Sequence, residues 1–359
     1  MKKMIIDQFL SGFHYGDAIG NSVLRFHKFL TGKGIKSRII ALTIDDAVRE
    51  YGTPLNEYNE APGSVRIYHY AISSPLNDYF LSGKRDRDII VYHNITPSRY
   101  FRGYSDELVS LTEKGRDELS LFSDKFVLTV ADSAFNASEL SELGFGNIRI
   151  FPIMVAREDY TGEYSKSYLN IFDDGRKNIL FVGRITPNKK IEDLIKFISV
   201  FKKIVSEDVR MIIAGNQNSV PHYFSSLLKL KYSLGLGISD VFFTGHIPFE
   251  ELLSVYRSAD LFLSMSEHEG FCLPLIESAF FELPVIAYDA GAVKETLGGS
   301  GILFKDKDME KLAILVEKVL SDSDLTGKLK NKSSARAASF GKEADPEQLL
   351  KMIREAVDA

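Results

Sequence analysis

Along most of the chain, apolar runs of strand length alternate with longer stretches in which apolar residues recur every three or four positions. That alternation predicts βαβ units and parallel sheets. A first group of predicted strands covers 4–9, 38–42, 65–70, 89–93, 126–131 and 148–151, enough for one doubly wound sheet. Between the first two, segment 21–30 places Val23, Phe26 and Leu30 on one helical face, and Gly32 and Gly34 supply a stop. The rhythm fails over 157–177, a polar stretch containing Tyr160, Gly162 and Gly175. A second group of strands then covers 178–182, 210–214, 241–244, 261–264, 284–288 and 302–304. The expected fold class is α/β, with two doubly wound Rossmann-like domains: 1–160, a linker at 161–176, then 177–340, and a terminal segment 341–359. Ligands of such sheets bind beyond the carboxyl ends of the strands, so two such domains facing each other frame a cleft, and the chemistry should lie just after strands.

Length supports the division, since 359 residues exceed the roughly 250–300 that one core sustains. Charge narrows the partners. Forty-four basic against 49 acidic residues leave a net charge of -5, too balanced for a chain whose task is coating nucleic acid. Cys272 is the single cysteine, so no intrachain disulfide can form and the cytoplasm is the expected location. The chain starts with lysines but without the apolar run of a signal peptide. No stretch approaches the ~18 apolar residues of a membrane span, so neither export nor spanning is expected.

Four segments carry candidate chemistry. Ser266-Glu267-His268-Glu269-Gly270-Phe271-Cys272-Leu273-Pro274-Leu275-Ile276-Glu277 follows a predicted strand and opens a helix at Pro274. Gly270 allows close backbone approach to a ligand, and two carboxylates, Glu269 and Glu277, flank the turn; alone, Glu277 would merely complement a helix dipole. Gly183-Arg184-Ile185-Thr186-Pro187-Asn188-Lys189-Lys190 is a glycine turn with three cations. The planar fork of Arg184 and the point charge of Lys189 suit a diphosphate, although a solvated basic turn reads equally well. Gly16 and Gly20 in the turn after the first strand let backbone N–H groups approach an anion at a helix N-terminus. That segment is neither a dinucleotide fingerprint nor a P-loop. His93 ends a fourth strand. Three Asp-x-Asp pairs, 86/88, 306/308 and 322/324, read better as pre-strand, cap and inter-helix residues than as metal ligands, so no metal is expected. Cys272 lacks a matched histidine and reads as a thiol near the site.

These motifs resemble the retaining GT-B glycosyltransferases of glycosyl transferases group 1, among them bacterial polysaccharide mannosyltransferases. Glu269 and Glu277 match that family's Glu-x7-Glu signature, and Gly183-Arg184 to Lys189 matches its phosphate-binding segment. Lys190 departs from the usual glycine. Tyr15-Gly16-Asp17-Ala18-Ile19-Gly20-Asn21 and His93-Asn94-Ile95-Thr96-Pro97 are similar to a surface-polysaccharide subgroup. The resemblance implies the GT-B architecture and a hexosyl transfer without cofactor or metal, the leaving phosphate helping to remove the acceptor proton. It implies that Arg184 and Lys189 hold the donor diphosphate and Glu277 the ribose. The transferred sugar falls to Glu269, Gly270 and the backbone of Phe271, Cys272 and Leu273, with Gly16 approaching the diphosphate and His93 facing the sugar. His246 and Ile247, in the turn 245–248, are the expected base contacts, although a plain connector reads equally well there. The segment 346–357 is expected to return to the N-terminal domain as a helix.

GDP-mannose is the favoured donor and a UDP-sugar the alternative. The acceptor is expected to be a glycan or lipid-linked glycan, and no nucleic acid is expected. Lys84, Arg85, Arg99, Tyr100, Phe101 and Arg102 are candidates for an anionic carrier or the inner membrane surface, or ordinary solvated positions. Two other readings stand beside this one: a glycoside hydrolase using Glu269 and Glu277 as acid and base, which leaves Arg184 and Lys189 idle, and a noncatalytic nucleotide-sugar-binding module.

Overall fold

The computed structural model describes residues 4–82 and 86–358, which group into two compact units. The first comprises the chain up to Ser98, Glu107–Val155 and the segment from Gly341 onward; the second comprises Arg99–Asp106 and Ala156–Phe340.

The first unit holds a seven-stranded parallel sheet: β1 (Ile5–Phe13), β2 (Lys36–Ile44), β3 (Gly52–Pro54), β4 (Val65–Tyr70), β5 (Asp88–Tyr92), β6 (Leu128–Ala131) and β7 (Ile148–Ile150). Their order is β3-β2-β1-β4-β5-β6-β7. The edge strand β3 has no apolar run to announce it, and as an edge strand it tolerates Pro54. Because side chains alternate across a strand, Val65, Ile67, Ile89, Val91, Leu128 and Val130 share one face. Phe26 and Leu30 of the helix Ala18–Gly32 pack there, together with Leu349, Leu350 and Ile353 of the terminal helix Pro346–Val357. The opposite face buries Tyr68, Tyr70, Ile90 and Tyr92 against Phe80 and Phe122. Being buried on both sides, these strands read as continuous apolar runs.

The second unit holds a six-stranded sheet: β8 (Lys177–Val182), β9 (Val209–Ala214), β10 (Val241–Gly245), β11 (Leu261–Ser264), β12 (Val285–Tyr288) and β13 (Ile302–Phe304). The order β10-β9-β8-β11-β12-β13 runs outward in both directions from the β8/β11 pair, making that pair the topological switch point. The stretch read as a linker is structured: the helix Lys166–Phe172 seats Phe172 in this unit's core, and Tyr160 is buried. The missed signal is an aromatic pair at helical spacing, Tyr168 and Phe172.

The acidic pairs have structural partners. Asp308 caps the helix Met309–Ser321 through the N–H groups of Glu310 and Lys311, and Asp322 accepts from the N–H groups of Asp324 and Leu325. Asp88 receives the guanidinium of Arg66 with both residues buried. Among the described residues, no helix is long and apolar enough to cross a membrane. Of the residues expected at a surface, Arg99 and Arg102 are exposed, but Phe101 needs correction because it is buried, and the Tyr100 hydroxyl donates to the Glu267 carbonyl at 3.3 Å. Lys84 and Arg85 lie outside the described residues.

Candidate active site

The two strands at the switch point of the second unit deliver its two charged motifs. Past β8 the chain makes a short turn at Pro187–Lys189, and past β11 it reaches Glu267 and Glu269. Backbone and amide bonds join the loops: Glu267 N–H donates to the Asn188 carbonyl at 2.9 Å, and the Asn188 amide donates to the His268 carbonyl at 3.1 Å. Thr186 holds that amide's own oxygen at 2.8 Å. Against this frame the Lys189 ammonium lies 2.6 Å from each carboxylate oxygen of Glu269. Arg184 is exposed and makes no side-chain ion pair or hydrogen bond among the described residues, so its fork is open to an anion. Lys190 sits at φ 53°, a left-handed conformation that explains why glycine suits the position. Its ammonium lies 3.5 Å from Glu267 and 3.6 Å from Glu192.

Gly291, which sequence reasoning missed, fixes the Glu269 backbone. A Cβ there would lie 2.4 Å from the Glu269 carbonyl oxygen, and the next N–H, of Ala292, donates to that oxygen at 2.9 Å. Past Gly270, Cys272 adopts φ 74° and precedes the helix Leu273–Phe280 without a side-chain cap, and the first turn holds no acidic residue. The N-terminal end of this helix therefore offers its positive dipole to an external anion rather than to the chain's own carboxylate. Phe271 turns its ring inward against Phe340, so only its backbone is available to a ligand. Burial, reinforced by Glu269, pushes the Cys272 thiol well up, the opposite of an activated nucleophile.

Glu277 lies deeper, buried on that helix, and its two oxygens accept from the hydroxyls of Tyr160 at 2.6 Å and Tyr256 at 2.5 Å. Burial raises its carboxyl above the ordinary range, and the two tyrosines oppose that rise. Neither tyrosine was singled out from sequence. Each carboxylate oxygen keeps a further lone pair for a ligand hydroxyl. His246 is exposed after β10, whereas Ile247 packs against the core, leaving its backbone as the accessible part.

In the first unit, Gly16 has φ 80° in an exposed turn. The helix that follows is capped from within: the Asp17 carboxylate takes the N–H groups of Ile19 and Gly20, both at 3.1 Å. The Gly20 N–H expected there to approach an anion is thus taken by the chain's own carboxylate, an outcome of the good capping residue at 17, whereas Gly16 is no part of that cap. His93 emerges from β5 and is held on both ring nitrogens, Nδ1 by Asp132 at 2.8 Å and Nε2 by His69 at 3.0 Å. His69 and Asp132 also went unremarked in the sequence, although each sits at a strand end.

Comparisons with known proteins bear on this arrangement. Residues 169–337 match the family model for glycosyl transferases group 1. The serotype-specific mannosyltransferase WbdA of Escherichia coli is 28% identical over 182 residues, 51% of this chain but 22% of that protein. The chain therefore spans about a fifth of the length of such a relative. The O-antigen chain mannosyltransferase B of Escherichia coli is 23% identical over 251 residues, 68% of this chain and 64% of the relative. Among solved structures, Anabaena HepE in complex with UDP and glucose superimposes with a TM-score of 0.73 over 99% of both chains at 16% identity. With its two parallel sheets and its motifs at the switch point of the second, the chain has the GT-B fold, and residues 169–337 of its second unit match the glycosyl transferases group 1 family model.

Proposed function

We propose that this chain is a retaining, metal-independent hexosyltransferase, moving mannose from GDP-mannose to a glycan or lipid-linked glycan in surface-polysaccharide synthesis. The observation that carries the reading is the cluster at the β8/β11 switch point: an exposed Arg184 with no side-chain partner among the described residues, the Lys189–Glu269 pair, and the N-terminus of Leu273–Phe280 without a side-chain cap. Breaking a glycosyl–phosphate bond places negative charge on the departing diphosphate, and fixed cations beside a helix N-terminus stabilise that charge as it develops. Arg184 and Lys189 take the diphosphate, Glu277 the ribose, and Glu269 with the backbone from Gly270 to Leu273 the sugar. On the family resemblance, His93 is assigned to the sugar and Gly16 to the diphosphate. His246 and Ile247 border the base. The enzyme provides no nucleophile; the leaving phosphate helps to take the acceptor proton.

The mannosyltransferase relatives support the sugar assignment, and the UDP and glucose of HepE keep a UDP-sugar as the alternative donor. The hydrolase reading is less well supported, because Glu269 is engaged with a lysine and Glu277 lies beneath two tyrosines. A thermal-shift screen of GDP-, UDP-, ADP- and TDP-sugars tests the reading, followed by transfer assays with and without EDTA. Stabilisation by GDP-mannose and turnover that survives EDTA are expected. Micromolar binding of a UDP-sugar without GDP-mannose binding would replace the donor. Loss of turnover in EDTA with recovery in Mg²⁺ or Mn²⁺ would overturn metal independence.

A further inference from the structure

Three neighbouring strands of the first sheet end in groups that can exchange protons. His69 is the penultimate residue of β4, His93 follows β5 and Asp132 follows β6. The registers His69↔Val91 and Tyr92↔Ala131 bring the three together at the carboxyl ends of the strands. All three continue the alternation that carries Ile67, Val91 and Val130 on one face. Asp132 Oδ2 lies 2.8 Å from Nδ1 of His93, and Nε2 of His93 lies 3.0 Å from Nδ1 of His69. The rings of His69 and His93 are within 9° of parallel. Nε2 of His69 is buried and has no protein partner among the described residues.

Proton accounting along this row admits one economical assignment. The Asp132 carboxylate can only accept, so Nδ1 of His93 must carry a hydrogen. If His93 is neutral, its Nε2 is a bare acceptor, which the Nδ1–H of His69 satisfies, and Nε2 of His69 is then a bare lone pair. The reverse assignment sets a lone pair of His93 against the carboxylate and leaves a buried N–H of His69 with nothing to receive it. A doubly protonated His93 likewise strands that N–H. Burial pushes the His69 imidazole well below its ordinary range, in line with an uncharged ring.

We propose that Asp132 and His69 are positioning residues that lock His93 as the neutral Nδ1–H tautomer, with its ring plane fixed and its Nε2 kept as an acceptor. For kinetics this rests on the glycosyltransferase reading above; the tautomer itself does not. Locking matters because a histidine at a strand end otherwise samples two tautomers and several rotamers, and only one satisfies Asp132 and His69 together and so holds the ring in a single orientation.

The experiment uses the full chain labelled with ¹⁵N-histidine. Long-range ¹H–¹⁵N correlation spectra report which ring nitrogens carry hydrogen, and His69→Gln and His93→Gln spectra assign the two signals. Expected are Nδ1–H on both His93 and His69 in the wild type, and loss of the single tautomer at His93 in Asp132→Asn. In transfer assays Asp132→Asn should lower kcat by about a hundredfold with little change in KM for the donor. His69→Gln, whose amide can still donate, should retain far more activity than His69→Phe at equal thermal stability. An Nε2–H signal for His93 in the wild type overturns the proposal, as does wild-type kcat in folded Asp132→Asn. Absence of transfer with every sugar nucleotide would remove the enzymatic reading and leave the tautomer result standing.

Discussion

The Lys189 ammonium faces both oxygens of Glu269 at 2.6 Å, pairing the group proposed to hold the donor phosphate with the group proposed to hold the sugar. Without ligand, each neutralises the other in a site where Glu269 is only 6% exposed. Donor binding must redirect the lysine from carboxylate to phosphate. Glu269→Gln should therefore nearly abolish transfer without weakening the binding of the nucleoside diphosphate, because the lysine no longer has a competing anion. Lys189→Ala should weaken that binding and also destabilise the fold by about 3 kcal/mol, because it strands a buried carboxylate. Calorimetric titration with GDP and UDP, beside a denaturation curve, separates the two effects. Weaker diphosphate binding in Glu269→Gln would refute the competition.

Tyr160 and Tyr256 hold Glu277 from two sides, and the acid–base balance of that carboxyl makes their contribution depend on pH. Its folded-state pKa is raised by burial above the ordinary 4.5, with the tyrosine hydroxyls opposing the rise. A carboxyl whose folded pKa is raised holds more protons when folded than when unfolded, so stability falls as pH climbs from 4.5 through the folded pKa. Tyr160→Phe removes one opposing bond and pushes that pKa further up. The loss should be about 1.5–3 kcal/mol near pH 7 and clearly smaller near pH 4, where Glu277 is mostly protonated in both states. Urea denaturation at the two pH values is the check; an equal loss at both would contradict the charge assignment.

Lys190 adopts left-handed geometry, which costs a residue with a side chain about 1–2 kcal/mol relative to glycine. Its ion pairs with Glu192 and Glu267 are long and partly solvated, each contributing at most about 1 kcal/mol. Lys190→Gly should hence leave stability unchanged or raise it by up to about 1 kcal/mol, while Lys190→Val should lower it, because β-branched residues fit this region worst. Denaturant midpoints decide, and a destabilised glycine variant would show that the ion pairs outweigh the backbone strain.

The acidic pairs should differ sharply from one another. Asp88 and Arg66 are each 2% exposed, so Asp88→Asn, which leaves a buried guanidinium short of its countercharge, should cost about 3–5 kcal/mol. Asp308→Ala should cost about 1 kcal/mol through loss of a helix cap. Asp306 is exposed, and its replacement by Ala should stay within about 0.5 kcal/mol. Thermal denaturation of the three variants tests the ranking; a mild Asp88→Asn would mean that water or Glu60, 3.8 Å from Arg66, takes over the charge.

What the sequence by itself determined is whatever repeats or acts locally. Strand-length apolar runs announced both parallel sheets because strands covered on two faces need no polar alternation, and Pro274 announced a helix start because proline fixes the backbone there. Gly183, Arg184, Lys189, Glu269 and Glu277 were legible as candidates for the same reason: each lies beside a recognisable strand end or helix start. Lys190 stood out as an odd residue, but only its φ of 53° revealed why. The edge strand Gly52–Pro54 and the helix Lys166–Phe172 escaped because their local signal is three residues long or an isolated aromatic pair. Tertiary structure alone decided who meets whom. Lys189 reaches Glu269 across 80 residues because β8 pairs with β11, and His93 meets His69 and Asp132 because β5 lies between β4 and β6. Tyr160 and Glu277 are 117 residues apart and meet only because the turn Arg157–Tyr160 packs on the helix that bears the glutamate. Strand order and packing are properties of the whole sheet, and no local period in the chain encodes them.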